Sequence, residues 1–306
     1  MKVPILFIVF NRIDTVKKVF ERIKEIKPSK LYVAADGARS EIKNEKEKCD
    51  EVRSYILNNI DWDCEVKTLF RNENKGCKLA PASAINWFFE NEEMGIILED
   101  DCLFSPSFIT FCEELLVKYR NDERVMMISG DNFQDGIKRG DGSYYFQRIA
   151  HCWGWASWAR AWKLYDINMK TLPLFIEQEK LKDIFPHPSI QWYWTKNLTR
   201  TYKNILNTSW DYQWDYAMFV NNGLCIMPNV NLVQNIGISD NSTHTNFKDV
   251  NSYSVKCEEL ENIIHPSFVI PDYEAELYEH KNHFKMNWSI TKANLRKVFQ
   301  QDKIKI

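Results

Sequence analysis

Residues Gly95 to Pro106 read Gly-Ile-Ile-Leu-Glu-Asp-Asp-Cys-Leu-Phe-Ser-Pro. The stretch opens with an apolar run typical of a buried strand, and three acids, Glu99, Asp100 and Asp101, follow directly on it. Packing three carboxylates together is unfavourable unless a cation offsets their repulsion. Divalent cations such as Mn²⁺ or Mg²⁺ prefer oxygen ligands and can also bridge a diphosphate. The stretch therefore predicts a metal-dependent site at the end of a strand, with a solvated acidic turn as the plainer alternative.

Strand-like and helix-like patterns alternate on both sides of this stretch. Buried strands are predicted at Ile5–Phe10, Leu31–Ala35, Cys64–Phe70, Gly95–Leu98 and Val125–Ser129. Helices are predicted between them at Thr15–Ile26, Glu41–Ile60, Lys78–Glu90 and from Ser105-Pro106 onward. This order predicts an α/β fold with an open, mostly parallel, Rossmann-like sheet and flanking helices. Ligands of such sheets bind beyond the carboxyl ends of the strands, which is where the acids lie.

Several function classes are disfavoured by composition and by missing motifs. Neither GxGxxG nor GxxxxGK[ST] occurs, which disfavours an ordinary nicotinamide enzyme or a P-loop NTPase. A formal net charge of -2 disfavours a nucleic-acid binder, which would usually carry a basic excess. The eight cysteines form no CxxC pair and are typical of buried thiols in a reducing compartment. Because the apolar run Pro4–Phe10 is too short for a signal peptide or a membrane span, we expect a cytoplasmic protein.

Beyond residue 140 the pattern loosens and aromatic residues become frequent. Further elements are predicted as a strand at Tyr144–Ile149, helices at Trp155–Tyr165, Ile190–Ile205 and Asp211–Asn222, and a strand-like run at Cys225–Gln234. We divide the chain into a donor half of about residues 1–140, an aromatic-rich acceptor half of about 141–245 and a C-terminal extension, 246–306. The basic end, Ser289–Ile306, is either a solvated terminal helix or an interfacial helix in peripheral contact with anionic lipid at the inner face of the membrane.

Six motifs in order resemble those of the GT-A-fold glycosyltransferases over residues 3–245. They are Pro4–Arg12, Val33–Gly37, Glu99–Asp101, Ile128–Asn132, Trp153–Trp155 and Trp210-Asp211. The chain is similar to the Golgi N-acetylglucosaminyltransferases and to bacterial surface-polysaccharide transferases of the HlpA-like group. This resemblance implies a metal-dependent, inverting transfer of a sugar, N-acetylglucosamine or a related hexosamine, from a UDP-sugar donor. A bacterial surface glycan or a lipid-linked oligosaccharide is the expected acceptor.

The resemblance also implies roles for residues of the donor half. Asp101 would bind Mn²⁺ or Mg²⁺ directly, Asp100 would hydrogen-bond the ribose, and Glu99 would face the hydroxyls of the donor sugar. Arg12 would lie beside the nucleotide phosphates, where a planar guanidinium suits them. Asp36 would contact the base, with a structural turn Asp as the alternative. The relatives place a uracil-binding His in the helix after the third strand, and this chain has none there, so the resemblance implies a diphosphate more directly than uridine.

On the acceptor side, two acids compete for the role of catalytic base. The relatives carry their catalytic base in a Trp-rich segment shortly before a Cys-Ile-x-Pro strand, and Asp211 and Asp215 both lie in such a segment before Cys225. The resemblance favours Asp211, which follows Trp210 directly and whose distance to Cys225 fits the family better. Either acid could instead stabilise the start of a helix. In the relatives, residues equivalent to Trp153 and Trp155 shape the sugar pocket.

His244 lies in a polar loop, where some GT-A enzymes place a second metal ligand; a surface His is the alternative. Trp158 and Trp162 continue at helical spacing and are assigned to the core. Two other functions remain open from the residues alone. A metal-dependent nucleotide-sugar hydrolase or phosphoryl-transfer enzyme would use the same acids, and a non-catalytic carbohydrate-binding protein would bind glycans without a metal.

Overall fold

The computed structural model describes residues 3–203, 209–237 and 255–286. Ten strands lie within these ranges. They are β1 (Ile5–Val9), β2 (Lys30–Ala35), β3 (Glu65–Phe70), β4 (Met94–Glu99), β5 (Cys102–Phe104), β6 (Val125–Ser129), β7 (Tyr144–Gln147), β8 (Trp155–Trp158), β9 (Leu224–Pro228) and β10 (Val233–Asn235).

The helices among the described residues flank the sheet and continue through the second half of the chain. They are α1 (Ile13–Ile26), α2 (Glu45–Asn58), α3 (Gly76–Asn91), α4 (Pro106–Lys118), α5 (Ala159–Trp162), α6 (Leu172–Glu177), α7 (Leu181–Ile184), α8 (Pro188–Lys203), α9 (Asp211–Val220) and α10 (Tyr273–Asn282). None of them combines the length and the apolar character that crossing a bilayer requires.

Eight strands form one mixed sheet in the order β3-β2-β1-β4-β8-β6-β9-β7. Strand β1 pairs in parallel with β2 and with β4, and β2 pairs in parallel with β3. The prediction of an open, mostly parallel α/β sheet with flanking helices is confirmed. Because these four strands run the same way, their carboxyl ends share one edge, and Ile8 of β1 lies beside Glu99 of β4. The two ends that carry Arg12 and the acids are therefore adjacent.

The helix predicted at Trp155–Tyr165 is wrong in its first turn. Residues Trp155–Trp158 form β8, which lies antiparallel between β4 and β6, and only Ala159–Trp162 is helical. All four residues of β8 are buried, so no polar face gives the alternation that marks a strand. The spacing of Trp155, Trp158 and Trp162 fits a helix equally well, and the pairing with β4 and β6 decides the matter. Trp158 and Trp162 are buried in the core, as predicted.

The strand-like run predicted at Cys225–Gln234 is divided into two strands of different sheets. Strand β9 ends at Pro228, which cannot donate a further ladder hydrogen bond. Strand β10 then pairs antiparallel with β5, and Asn235 lies opposite Cys102. This small second sheet brings the residues after β10 next to the acids that precede β5.

Part of the C-terminal extension, residues 255–286, packs against the rest of the fold. The backbone amide of Glu258 donates to the carbonyl of Asn231 at 2.7 Å, and Pro271 bridges to Phe146 of β7. Helix α10 follows and begins with Asp272 as a side-chain cap on the amide of Ala275. These residues thus contribute to the same folded unit as the sheet.

Candidate active site

The three acids Glu99, Asp100 and Asp101 lie at the carboxyl edge of the sheet, where β4 turns into β5. Asp100 is buried, and the Asp101 side chain is 14% exposed. The backbone amide of Ile236 donates to the carbonyl of Asp101 at 2.8 Å, which holds the segment after β10 over the turn. A Cβ added at Gly237 would lie 2.2 Å from Asp101 Oδ2, so the close approach requires glycine at this position.

Arg12 lies beside two of the acids, as its position after β1 predicts. Its Nη2 atom donates to Asp101 Oδ2 at 2.7 Å and also to Asp100 Oδ1. Burial acts to lower the pKa of Arg12, but the charges and hydrogen bonds of both carboxylates outweigh it and raise that pKa above its ordinary value. The side chain is still 41% exposed, so the guanidinium has a solvent-facing side from which an anionic ligand can approach.

Burial and the repulsion of neighbouring charges raise the pKa values of Glu99 and Asp100. Burial, then the charges of Asp101 and Asp100, raise the pKa of Glu99 to about 8. Burial also raises the pKa of Asp100 to about 6, although Arg12 acts in the opposite direction. The Oδ2 atom of Asp100 is buried and has no hydrogen-bond partner among the described residues. One arginine therefore does not fully offset the negative charge of this edge.

Helix α9 brings Asp211 to the same edge of the sheet. The charge of Asp211 contributes to the raised pKa of Glu99. Burial raises the pKa of the Cys152 thiol well above its ordinary value, and the charges of Asp211, Asp215 and Glu99 raise it further. The predicted base and the acidic triplet, more than 100 positions apart in the sequence, thus act electrostatically on the same neighbour.

The two candidate bases differ in accessibility. Asp211 is half-buried, and its Oδ1 accepts from the backbone amide of Tyr212 at 3.0 Å. Asp215, one turn further along α9, is 6% exposed and accepts from the amide of Ala150 at 2.8 Å. Burial raises the pKa of Asp215 well above its ordinary value. An acceptor hydroxyl can reach Asp211 more readily than Asp215.

The structure favours a structural role for Asp36 over the expected contact with a base. Both of its carboxylate oxygens accept from the backbone amide of Lys75 at 3.0 Å, and Oδ2 also accepts from the amide of Gly76 and from Asn74 Nδ2 at 3.0 Å. Lys75 is the N-cap residue of α3 and Gly76 is its first residue, and amides at the start of a helix have no partner within it. Asp36 therefore caps α3. This role is structural, like that of the turn Asp given as the alternative to contact with the base.

The two tryptophans expected in the sugar pocket have different surroundings. Trp155 is fully buried and stacks on Trp210 in the hydrophobic core, with ring centroids 5.5 Å apart. Its expected place in a pocket is corrected to the core, because β8 is covered on both faces. Trp153 is half-buried, and its ring packs edge-on against Phe133 at 5.6 Å. Trp153 keeps the surface that a sugar would need.

Of the two predicted metal ligands, Asp101 and His244, only Asp101 lies among the described residues. His244 lies outside the described residues, so its role as a second ligand stays a prediction. Within the described ranges, no group of three or more His, Cys, Asp and Glu side chains is arranged to hold a metal ion by itself.

Sequence reasoning missed a buried lysine near the site. Lys78, on the first turn of α3, is 4% exposed, and burial lowers its pKa. With the Gln213 amide turned to match its neighbours, Gln213 Oε1 accepts from Lys78 Nζ at 3.1 Å and its nitrogen donates to the carbonyls of Ser209 and Trp210. Lys78 thus helps to hold the start of α9, which carries Asp211. The available signal was a lysine within an otherwise apolar helical pattern.

Comparisons with known proteins give no family assignment. No protein-family model matches the chain, and no curated protein sequence matches it. Among solved structures it is similar to HddC from Yersinia pseudotuberculosis, with 8% identity over 52% of this chain and 77% of that chain and a TM-score of 0.31. It is also similar to a cytidylyltransferase from Leptospira borgpetersenii serovar Hardjo-bovis, with 14% identity over 54% of this chain and 63% of that chain and a TM-score of 0.31. Neither likeness bears on the reaction, which has to be inferred from the side chains at the sheet edge.

Proposed function

We propose that this protein is a metal-dependent, inverting glycosyltransferase that moves a sugar from a nucleotide diphosphate donor to a carbohydrate acceptor. The observation that carries the proposal is the meeting of two acidic elements at one edge of the sheet. Glu99 ends β4, Asp100 and Asp101 follow it, and Asp211 begins α9 close enough for its charge to act on Glu99. The acids at the end of β4 are suited to bind a metal with the donor phosphates, and Asp211 of α9 is suited to remove a proton from the acceptor.

The residues present fit a hard divalent cation, Mn²⁺ or Mg²⁺. They offer carboxylate oxygens, and the buried Asp100 Oδ2 has no hydrogen-bond partner in the described part of the chain. Asp101 is the more exposed acid of the pair and would hold the cation. Mg²⁺ is commonly bound by one or two carboxylates together with substrate phosphates, and Asp101 would supply one such carboxylate. When bound, the cation neutralises charge that develops on the departing diphosphate.

Arg12 is suited to bind the donor phosphates. Its guanidinium is held by Asp100 and Asp101 while 41% of the side chain is exposed. A guanidinium presents several N–H donors in a fixed plane, which matches phosphate oxygens. Arg12 would therefore orient the diphosphate beside Asp101 and help to stabilise it as a leaving group.

Asp211 is suited to act as the base for the acceptor. In the proposed step, the acceptor oxygen attacks the anomeric carbon while its proton passes to the Asp211 carboxylate. The bond from the anomeric carbon to the diphosphate breaks, and its electron pair leaves with the diphosphate, which inverts the configuration. A carboxylate within hydrogen-bonding reach of the acceptor hydroxyl is suited to accept its proton as a general base.

The finer identity of the substrates rests on the sequence resemblance. It favours UDP as the nucleotide, N-acetylglucosamine or a related hexosamine as the sugar, and a surface glycan or lipid-linked oligosaccharide as the acceptor. The half-buried Trp153 supports a carbohydrate acceptor. The exposed part of its ring can pack against the apolar face of a sugar, and the sugar hydroxyls then stay available for hydrogen bonds.

The proposal is tested by nucleotide release from a panel of nucleotide sugars with Mn²⁺, with Mg²⁺ or with EDTA. We expect one donor to be turned over with metal, and Asp101→Ala to lose this activity by roughly 10²-fold or more. Asp50→Ala is the matched control, because Asp50 pairs with Lys46 on the exposed face of α2. Release that persists in EDTA and in Asp101→Ala would reject the metal-dependent site. Sugar freed as fast without any acceptor as with one would indicate a hydrolase instead.

A further inference from the structure

Helix α10 buries charged side chains in the acceptor half. Glu276, Glu279 and His280 are all fully buried, although α10 belongs to the C-terminal extension. A buried carboxylate is costly unless its oxygens are paired. Burial acts to raise the pKa of Glu279, but the charge and hydrogen bond of His151 outweigh it and lower that pKa below its ordinary value. Glu279 is therefore held as a carboxylate inside the fold.

Glu279 and Glu276 both bind the segment that follows β7. His151 Nε2 lies 2.9 Å from Glu279 Oε2, and Gln147 Nε2 donates to the same oxygen at 3.3 Å. Glu276 accepts from the backbone amide of Arg148 at 2.8 Å and from its Nη1 at 3.0 Å. Two carboxylates of one helix thus fix residues 147–151 at several points.

The same segment leads to Trp153 and is hydrogen-bonded to helix α9. The amide of Ala150 donates to Asp215, one turn from Asp211 on α9. The amide of Trp153 donates to Asp131 Oδ2 at 3.1 Å. Movement of residues 147–151 would therefore be transmitted to Trp153 at one end and to α9 through Asp215.

An aromatic stack connects α10 to the Trp153 ring itself. Phe133 lies against His283, with ring centroids 3.9 Å apart and an angle of 23° between the planes. The same Phe133 ring contacts His151 at 4.7 Å and packs edge-on against Trp153 at 5.6 Å and 74°. Phe133 is buried, whereas Trp153 is half-buried. The stack supports the Trp153 ring from behind and leaves part of it open.

We propose that α10 is a positioning element for Trp153, the residue assigned above to the carbohydrate acceptor. Glu279, His151 and Phe133 are the positioning residues. The acceptor side is favoured because the segment that carries Trp153 is hydrogen-bonded, through Ala150 and Asp215, to α9, the helix that begins with Asp211. An acceptor hydroxyl that gives its proton to Asp211 must approach from there. This assignment rests on the proposed function, and its experiment separates the two.

The test compares Glu279→Gln with Glu274→Gln, which changes an exposed acid of the same helix. Nitrophenyl pyranosides serve as acceptors, and KM is measured separately for acceptor and donor. We expect Glu279→Gln to raise the acceptor KM by about tenfold while the donor KM stays within twofold, because misplacing a binding group weakens only what it contacts. Trp153→Ala should show the same selective effect. Equal changes in both KM values, or none, would overturn the assignment.

A second measurement keeps the assignment testable without transfer activity. Hydrogen–deuterium exchange of the peptide that spans 147–153 should rise in Glu279→Gln and stay unchanged in Glu274→Gln. If Glu279→Gln does not fold, His283→Ala removes the half-buried end of the stack and should raise the acceptor KM in the same way. If exchange is faster in Glu279→Gln but the wild type transfers no sugar, α10 stays a positioning element and the proposed function is rejected. Unchanged exchange in Glu279→Gln would reject the role of α10 as a positioning element.

Discussion

The Nη2 atom of Arg12 lies 2.7 Å from Asp101 Oδ2, although the two residues are 89 positions apart in the sequence. The contact exists because β1 and β4 are parallel neighbours whose carboxyl ends meet at one edge. A guanidinium and a carboxylate placed together at such an edge can bind the two parts of a metal–diphosphate, one through phosphate oxygens and one through the cation. The parallel pairing of β1 and β4 thus brings together the two side chains that are proposed to bind the metal–diphosphate.

Replacing Arg12 should weaken donor binding. Lys keeps the charge but loses the planar set of donors, so we expect Arg12→Lys to raise the donor KM by roughly tenfold and Arg12→Gln to raise it further. Steady-state kinetics with varied donor measure the effect. Arg22→Gln is the control, because Arg22 lies on α1 with a partly exposed side chain and forms an ion pair with Glu25 across one helical turn. A donor KM that is unchanged in Arg12→Gln would place the phosphates elsewhere.

Stability should depend on pH through Glu99. A carboxyl group whose pKa is raised by folding stabilises the fold while it is protonated, and this contribution is lost as the pH rises through the folded pKa. For Glu99 the window runs from its reference value of 4.5 to about 8. In EDTA, the free energy of unfolding should therefore fall between about pH 4.5 and pH 8, and Glu99→Gln should reduce this fall.

Mn²⁺ should reduce the same pH dependence in the wild type, because a cation near the carboxylates favours their charged forms. Urea unfolding at several pH values, with Mn²⁺ and with EDTA, measures both effects. A wild type and a Glu99→Gln variant with identical pH profiles in EDTA would contradict the inferred burial of charge at this edge.

Asp36 should behave as a helix cap. Loss of a capping side chain typically costs about 1 kcal/mol, so we expect Asp36→Ala to lower the free energy of unfolding by about that amount and to change the donor KM little. Urea unfolding and donor kinetics on the same preparation distinguish the two roles. Unchanged stability together with a raised donor KM would restore the contact with the base that the sequence resemblance implies.

Gly237 should be intolerant of a side chain. An added Cβ would lie 2.2 Å from Asp101 Oδ2 and 2.5 Å from Arg12 Nη1, so either the loop or both charged side chains must move. We expect Gly237→Ala to weaken the binding of Mn²⁺ in the presence of the donor by roughly tenfold, since a 1 Å displacement can cost much of a positioned contact. Ile236→Val alters the neighbouring residue without this clash and is the control. Wild-type affinity for Mn²⁺ in Gly237→Ala would mean that Asp101 is not its ligand.

Much of the sheet and the place of the acids could be predicted from the sequence. Apolar runs such as Ile5–Phe10 mark parallel strands because they are covered on both faces, and polar residues that follow them must lie at the carboxyl edge. β8 could not be predicted, because four fully buried residues carry no alternation and the spacing of Trp155 and Trp158 also fits a helix. The place of a strand inside a sheet depends on pairing with β4 and β6, which local patterns do not record.

Only part of the candidate site could be predicted, because local patterns also do not record contacts between distant segments. Arg12 and the acids follow directly on strands, so the topology alone brings them together. Asp36 follows a strand too, but its oxygens are used by backbone amides at the start of α3, about forty positions away. The buried contacts of Glu279 with His151 connect residues 128 positions apart, and no local pattern indicates which buried acid meets which partner.

The most direct measurement is the rate of nucleotide release with saturating donor and Mn²⁺, with and without a carbohydrate acceptor, in wild type, Asp211→Asn and Asp215→Asn. We expect the acceptor to stimulate release in the wild type, with a product of inverted anomeric configuration. Asp211→Asn should lose the stimulated rate by roughly 10²-fold or more, because the acceptor proton then has no base, while Asp215→Asn should lose less. Full stimulation in Asp211→Asn, or release that no acceptor changes in the wild type, would contradict transfer from this site.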